Sequence, residues 1–236
     1  MTGVVLLHAF PYPTMWGPQL EVLQPRYPVI APNYMGKTLP EAAEQVLREM
    51  DWLRWDKAVL VGLSMGGYLS FELWRQAPER IAGLVLADTR AGADNPQGRA
   101  TRDQQAARIR AEGLAWFPEA LLPNHLGKTT REHEAEIVQS AAQMILDNEP
   151  ELVARSLEAL RDRPDSTPTL PTIAVPTLIL VGEEDSVTPI AEARTLYKAI
   201  EGSQMLILAE AGHLSSLESP TTFNTALLGF LAQVLS

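Results

Sequence analysis

The sequence predicts an α/β fold, in which a mostly parallel sheet of about six strands is covered by helices on both faces. Short apolar runs alternate along the chain with longer segments of helical period. These runs are continuously apolar, as expected for strands buried on both faces. A chain of 236 residues, 46% of them hydrophobic, is long enough to form one such domain with its own core.

Six apolar runs are the predicted strands, and they lie at residues 3–8, 27–32, 58–63, 81–88, 177–182 and 205–208. Four segments with apolar residues at helical spacing are the predicted core helices, and they lie at residues 39–53, 64–76, 190–199 and 221–235. Strands joined by helical crossovers run parallel, so this order predicts a parallel sheet.

The alternation stops between residues 91 and 170, where no strand-like run occurs. Helical patterns rich in Arg, Glu and Gln fill this stretch, at residues 99–112, 129–148 and 151–161. Prolines mark both of its edges. We therefore expect an α/β core made of residues 1–90 and 171–236, with a helical lid inserted at residues 91–170.

Composition limits the classes of function. The 19 basic and 29 acidic residues give a net charge of -10, which disfavours nucleic acid or an anionic membrane as a partner. There is no cysteine, so thiolate nucleophiles, thiolate metal sites and disulfides are excluded. No apolar run approaches the roughly 18 residues of a membrane span, and no targeting segment is recognisable. We expect a cytoplasmic protein whose chemistry uses oxygen and nitrogen side chains.

The strongest motif surrounds Ser64. It is the central residue of Gly62-Leu63-Ser64-Met65-Gly66, which directly follows a predicted strand and opens a predicted helix. This is the G-x-S-x-G nucleophile elbow in the strand-to-helix context that it requires. The helix N-terminus favours negative charge near the serine hydroxyl. The alternative interpretation is a glycine-rich turn with an incidental serine.

A serine nucleophile needs a general base, and His213 is the best placed of the four histidines. It follows the last predicted strand, so we expect it at the same carboxyl edge of the sheet as Ser64. His8 ends the first predicted strand. His125 and His133 lie among polar neighbours in the insertion, where we expect solvated surface positions.

The acid that orients the base should follow another strand at this edge. Asp185 does so, and it keeps the chain order Ser, Asp, His that is expected after an elbow. Glu183 and Glu184 are interpreted as solvated loop charges. Asp88, at the end of another predicted strand, remains an alternative to Asp185.

These motifs together resemble the α/β-hydrolase superfamily over nearly the whole chain. The elbow, the G-x-x-D segment that ends at Asp185, the Gly-His pair at 212–213 and the helical insertion all fit its pattern. The segment His8-Ala9-Phe10-Pro11 is similar to the His-Gly-aromatic-Pro segment of one sub-group. That sub-group contains small esterases, enol-lactonases of the 3-oxoadipate type, cofactor-free haloperoxidase-like enzymes and carbon–carbon bond hydrolases.

The resemblance implies that the backbone N–H groups of Phe10 and Met65 form an oxyanion hole and that His8 braces the loop. Ala9 stands where the family usually has glycine, which questions the aim of the Phe10 N–H. The antiparallel edge strands of the family have no counterpart in the sequence. We therefore expect a six-stranded sheet with an exposed edge that a homodimer would cover.

A serine at the elbow forms an acyl-enzyme, so the substrate should be a small-molecule ester, thioester, lactone or activated carbonyl. We expect no cofactor and no metal ion. Substrate selectivity should come from an apolar pocket in the insertion, unless the same residues only pack the insertion onto the core. The candidate pocket residues are Trp116, Phe117, Leu121 and Met144.

The predicted function is a serine carboxylesterase that acts on small to medium apolar esters. One alternative is a lactone hydrolase of the 3-oxoadipate enol-lactonase type, which a buried arginine in the insertion would favour. Arg155, Arg161 and Arg163 are the candidates, although each is expected on a solvated helix face. A second alternative is a small-molecule receptor or signalling protein that keeps the triad and turns over slowly.

Overall fold

A computed structural model describes residues 1–235. The strands are β1 (Thr2–Leu7), β2 (Val29–Ile30), β3 (Lys57–Leu63), β4 (Ile81–Ala87), β5 (Thr177–Gly182) and β6 (Gln204–Leu208). They form one sheet in the order β2-β1-β3-β4-β5-β6, and every neighbouring pair is parallel. The predicted parallel α/β sheet is therefore confirmed. Strand β2 is much shorter than its apolar run because Pro28 and Pro32, which flank it, have no N–H to donate.

Eleven α-helices lie within residues 1–235: α1 (Gly17–Leu23), α2 (Leu39–Trp52), α3 (Met65–Gln76), α4 (Pro96–Glu112), α5 (Phe117–His125), α6 (Lys128–His133), α7 (Ala135–Leu146), α8 (Pro150–Asp162), α9 (Ile190–Ala199), α10 (Ser215–Glu218) and α11 (Pro220–Val234). Helices α1 and α11 pack together on one face of the sheet, and α2 and α3 pack together on the other. The sequence did not predict α1, because seven residues show too little periodicity. None of these helices is long and apolar enough to cross a membrane.

Helix α2 illustrates why the core helices begin where they do. The Thr38 hydroxyl accepts a hydrogen bond from the Glu41 N–H, and the Glu41 carboxylate accepts one from the Thr38 N–H. This capping box satisfies N–H groups that the first helical turn leaves free. The buried face of the helix carries Leu39, Ala42, Ala43, Val46 and Met50.

The chain between β4 and β5 is helical, but two of its elements differ from the prediction. The single helix expected at 129–148 is wrong, because the chain leaves helical geometry at Glu134 (φ -120°, ψ 63°) and forms α6 and α7. Helix α6 is bound to core loops through Thr129 and Thr130, whereas α7 packs against α5. Helix α5 went unpredicted because Pro118 and Pro123 obscure its period.

Candidate active site

Ser64 lies in a strained turn between β3 and α3. Its backbone has φ 55° and ψ -109°, a region that non-glycine residues rarely occupy. The adjacent end of β4 holds this conformation. The Ser64 N–H donates to the Ala87 carbonyl at 2.9 Å, and the Ser64 carbonyl accepts a 2.8 Å hydrogen bond from the Thr89 hydroxyl. The turn places the Ser64 side chain at the N-terminus of α3 with 9% of the residue exposed.

The turn requires glycine on its far side. A Cβ at Gly66 would lie 2.0 Å from the Leu7 carbonyl oxygen, which belongs to the rigid backbone of β1. We expect Gly66→Ala to lower the free energy of unfolding by about 3 kcal/mol, because the backbone carbonyl cannot move aside. Denaturant unfolding measures this loss, and Gly229→Ala is the control, since a Cβ there meets no atom within 4 Å. Equal stability of the two variants would contradict the geometry of the turn.

Three predicted residues form a continuous hydrogen-bonded chain. The distance between His213 Nε2 and Ser64 Oγ is 2.9 Å, and His213 Nδ1 lies 2.9 Å from Asp185 Oδ2. Asp185 is held in turn by its own loop, because Oδ1 accepts the N–H groups of Val187 and Thr188 and Oδ2 accepts the Thr188 hydroxyl. His213 and Asp185 are both buried. The arrangement allows His213 to take a proton from Ser64 while Asp185 stabilises the resulting imidazolium.

The electrostatics of the pair favour its charged form. Burial by itself would raise the pKa of Asp185, but the facing His213 and the hydrogen bonds from Thr188 outweigh burial and hold it below its usual range. Burial also opposes protonation of His213. The Asp185 carboxylate, with smaller effects from Asp88 and Glu218, more than compensates and raises the pKa of His213. The imidazole is therefore a stronger base than a free histidine.

The alternative acid, Asp88, is bonded elsewhere. Its Oδ1 accepts the Gly182 N–H at 2.8 Å, and its Oδ2 accepts the hydroxyl and the N–H of Ser215. Asp88 thus joins the ends of β4 and β5 to α10. Burial raises the pKa of this carboxyl well above its usual range. The structure brings Asp185, and not Asp88, into hydrogen-bond contact with His213.

The two backbone groups expected to form the oxyanion hole belong to the loop after β1 and to the first turn of α3. Met65 is the first residue of α3, so its N–H has no helical carbonyl to pair with. Among the hydrogen bonds of residues 1–235, none has the Phe10 N–H as donor. Ala9 does not need the conformational freedom of glycine, because it is not one of the residues with positive φ. The substitution of alanine for glycine therefore leaves the backbone unstrained at this position.

His8 is a structural residue in this loop. Its Nδ1–H donates to the Ala9 carbonyl at 2.9 Å, and its ring stacks on Tyr34 with 4.0 Å between the centroids. The Tyr34 hydroxyl donates to the His8 carbonyl at 2.6 Å. Burial lowers the pKa of His8 to about 4, so the ring is neutral near pH 7. These contacts agree with a role in bracing the loop.

A sequence model of the alpha/beta hydrolase fold matches residues 3–220. The chain belongs to the α/β-hydrolase family. A thermophilic esterase from Thermogutta terrifontis, solved with malate bound, is 35% identical, with a TM-score of 0.96 over 100% of this chain and 91% of that one. The enol-lactonase of Burkholderia xenovorans LB400 is 28% identical, with a TM-score of 0.86 over 97% of this chain and 90% of that one. 3-Oxoadipate enol-lactonase 2 of Acinetobacter baylyi is 28% identical over 90% of this chain and 82% of its own length.

The sequence did not predict that a second histidine lies beside His213 in this α/β-hydrolase. His125, expected on the solvated surface, is buried, and its ring lies against the His213 ring with 5.1 Å between the centroids. Its Nδ1 and the Tyr12 hydroxyl are hydrogen-bonded at 3.1 Å. Its polar sequence neighbours gave no sign of this burial. Leu122 and Leu126, three residues before His125 and one after it, are buried, and they hold the end of α5 in the interior. His133 is exposed, as expected.

The candidate pocket residues of this α/β-hydrolase differ in burial. Phe117 is fully buried, and its ring packs edge-on against Phe10 in the loop after β1, with centroids 6.2 Å apart. Trp116 packs against Phe117 in the same edge-on manner and lies under the Arg108 guanidinium. Trp116, Leu121 and Met144 are half-buried and pack against the hydrophobic core.

Arg163 is also buried, contrary to the expectation of a solvated helix face. Its guanidinium lies 2.8 Å from the Asp94 carboxylate, stacks over Tyr68 and donates to the carbonyls of Leu160 and Gly92. Asp94 draws it inward, because a carboxylate with 3% of its side chain exposed needs a cationic partner. Arg161 instead pairs with Asp103 and Asp162 at the surface.

Proposed function

We propose that this α/β-hydrolase is a serine carboxylesterase that acts on small to medium apolar esters through an acyl-enzyme. The observation that carries the proposal is the hydrogen-bonded chain from Ser64 Oγ through His213 to Asp185, with 2.9 Å in each step. The relatives named as esterase and enol-lactonase support a hydrolase activity. The chain needs no cofactor for this chemistry.

The reaction follows from the positions of the groups. Ser64 Oγ attacks the ester carbonyl carbon while its proton passes to His213 Nε2, and Asp185 accepts the hydrogen bond of Nδ1–H. The N–H groups of Phe10 and Met65 bind the oxyanion of the tetrahedral intermediate. His213 then gives the proton to the departing alcohol. Water deprotonated by His213 attacks the acyl-enzyme, and the acid leaves as Ser64 regains its proton.

The insertion at 91–170 is proposed to act as the lid that selects the acyl group. Phe117 supports this assignment because it contacts Phe10, whose N–H is a proposed oxyanion donor. An apolar pocket completed by Trp116, Leu121 and Met144 would accept short and medium acyl chains. We also expect a homodimer that forms across the β2 edge of the sheet. Sedimentation velocity would measure the oligomeric state.

A lactone hydrolase of the enol-lactonase type is the second candidate, and the names of two relatives favour it. The malate in the Thermogutta esterase also makes a carboxylated substrate worth testing. A buried arginine would favour this candidate because it could bind a substrate carboxylate. The Arg163 guanidinium, however, already binds Asp94 and two backbone carbonyls. An apolar ester therefore stays the first choice.

The experiment compares initial rates with p-nitrophenyl acetate, butyrate and octanoate and with a carboxylated enol-lactone, for the wild type and for Ser64→Ala. Steady ester turnover that disappears in the variant supports the esterase, and the chain-length profile measures the pocket. Faster turnover of the lactone supports the second candidate. Absence of Ser64-dependent hydrolysis of every substrate would refute both.

The pH dependence of kcat/KM provides a further test. Only neutral His213 can accept the Ser64 proton, so activity should fall as pH decreases through the pKa of His213. Because Asp185 raises this pKa, the acidic limb should lie above the ordinary histidine value of 6.5. Stopped assays from pH 5 to pH 9 with p-nitrophenyl butyrate measure the limb. A limb well below 6.5 would contradict the pairing of His213 with an ionised carboxylate.

A further inference from the structure

The loop that carries His213 is hydrogen-bonded to the insertion through one carboxylate. Glu218 Oε2 accepts the Gly127 N–H and the Thr130 hydroxyl, both at 2.7 Å. Its Oε1 accepts the Leu214 N–H at 2.9 Å, and the Gly212 N–H also bonds to this carboxylate. Glu218 therefore binds the two residues on either side of His213 and, with its other oxygen, the start of α6.

The backbones of the two segments also touch. A Cβ at Gly212 would lie 2.1 Å from the Gly127 nitrogen, so the two glycine backbones are in direct contact. The His213 N–H donates to the His125 carbonyl at 3.1 Å. Residues 125–130 of the insertion thus pack directly against the loop that carries His213.

The same segment is bonded to the loop that carries the acid. Glu184, next to Asp185, accepts the Thr129 N–H at 2.8 Å and the Thr129 hydroxyl at 2.7 Å. Glu184, expected to be a solvated loop charge, is half-buried and is hydrogen-bonded to the insertion. Both catalytic loops meet on a single turn of α6, which fixes them relative to each other.

We propose that Glu218 is a positioning residue for the general base, acting by fastening the Gly212–Leu214 backbone to residues 127–130 of the insertion. The inference rests on the proposed function, because it assigns His213 the role of base. A base must stay within hydrogen-bond distance of Ser64 to work, and a loop with glycine before the histidine does not keep that position unaided. The insertion consequently supports catalysis directly, in addition to any selection of substrate.

Two variants test the Glu218 carboxylate and its hydrogen bond from the insertion separately. Glu218→Gln keeps the shape but sets an amide N–H₂ against backbone donors, so kcat should fall by about 10-fold or more while KM changes little. Thr130→Val removes one hydrogen bond on the insertion side without touching the His213 loop, and it should lower kcat by a smaller factor. Glu151→Gln is the matched control, because Glu151 pairs with Arg110 at the surface and should leave kcat unchanged.

A pH readout distinguishes positioning from general loss of structure. The groups that face His213 are Asp185, Asp88, Glu218 and His125, and burial lowers the pKa of His125 well below its usual value, so that its ring is neutral. Removing the negative charge of Glu218 should move the acidic limb of kcat/KM to lower pH, whereas Thr130→Val should leave it in place. The titration of the His213 ring, followed by NMR in ¹⁵N-histidine-labelled protein, should shift in the same direction and needs no turnover.

The inference is overturned if Glu218→Gln and Thr130→Val both keep the wild-type kcat and the His213 titration is unchanged. Thermal unfolding of each variant shows whether a loss of kcat comes from a folded protein, and Thr130→Val decides the matter if Glu218→Gln does not fold. A wild type without Ser64-dependent hydrolysis would refute the proposed function instead. The NMR titration would still test the position of Glu218 in that case.

Discussion

Ser64→Ala is expected to lower kcat for p-nitrophenyl butyrate by at least about 10³-fold. The variant keeps the backbone of the elbow but removes the Ser64 oxygen that lies 2.9 Å from His213 Nε2. Without that oxygen no acyl-enzyme forms, and only the oxyanion donors and substrate binding remain. Any residual hydrolysis by the variant should show no pre-steady-state burst of p-nitrophenol, because no acyl-enzyme accumulates.

The control is Ser203→Ala, which removes an exposed hydroxyl bonded to the Tyr197 carbonyl, far along the chain from the elbow. It should retain the wild-type kcat. Active-site titration with a fluorophosphonate should label the wild type once per chain and Ser64→Ala not at all. Substantial turnover by Ser64→Ala would mean that another group is the nucleophile.

Asp185→Asn is expected to lower kcat by about 10³- to 10⁴-fold. An asparagine amide facing His213 Nδ1 can donate a hydrogen bond, which stabilises the tautomer with its proton on Nε2. That tautomer cannot accept the Ser64 proton. Loss of the carboxylate also lowers the pKa of His213, because Asp185 contributes the largest of the effects that raise it.

Asp88→Asn is the comparison that tests the choice between the two acids. Its amide oxygen can still accept the Gly182 N–H, and its amide nitrogen can donate to the Ser215 hydroxyl. Only the longer hydrogen bond from the Ser215 N–H is lost, so we expect kcat to stay within about 10-fold of wild type. Rates for both variants under saturating p-nitrophenyl butyrate, with unfolding curves, provide the measurement. The reverse order of effects would make Asp88 the orienting acid.

The sequence predicted the elements that depend on local pattern. The parallel strands, the elbow at Ser64 and the helices α2, α3, α9 and α11 follow from apolar period and from the glycines around the serine. Asp185 and His213 were predicted because both follow strands, and the ends of parallel strands meet at one edge of the sheet. Their hydrogen-bond distances could not be obtained in this way, since side-chain contact depends on the packing of separate loops.

The failures of prediction concern residues whose partners are distant in the chain. His125 was expected on the surface but packs on His213, and Arg163 was expected on a solvated face but is drawn to Asp94. Glu184 binds Thr129 in α6, 55 residues away, and Glu218 binds Gly127 just before α6, 91 residues away. No local pattern marks such pairs, because polar side chains look alike in sequence whether they face water or a partner.

The amino-acid order alone therefore predicted the fold class, the candidate nucleophile and the kind of chemistry proposed for the chain, since backbone propensity and hydrophobic period act over a few residues. Only the folded chain shows that His213 contacts Asp185 rather than Asp88, and that His125 and Arg163 are buried. The same is true of the hydrogen bonds that join the His213 loop to the insertion. Each of these depends on which polar groups are buried together as hydrogen-bond partners. Contacts between segments far apart in the sequence decide that pairing.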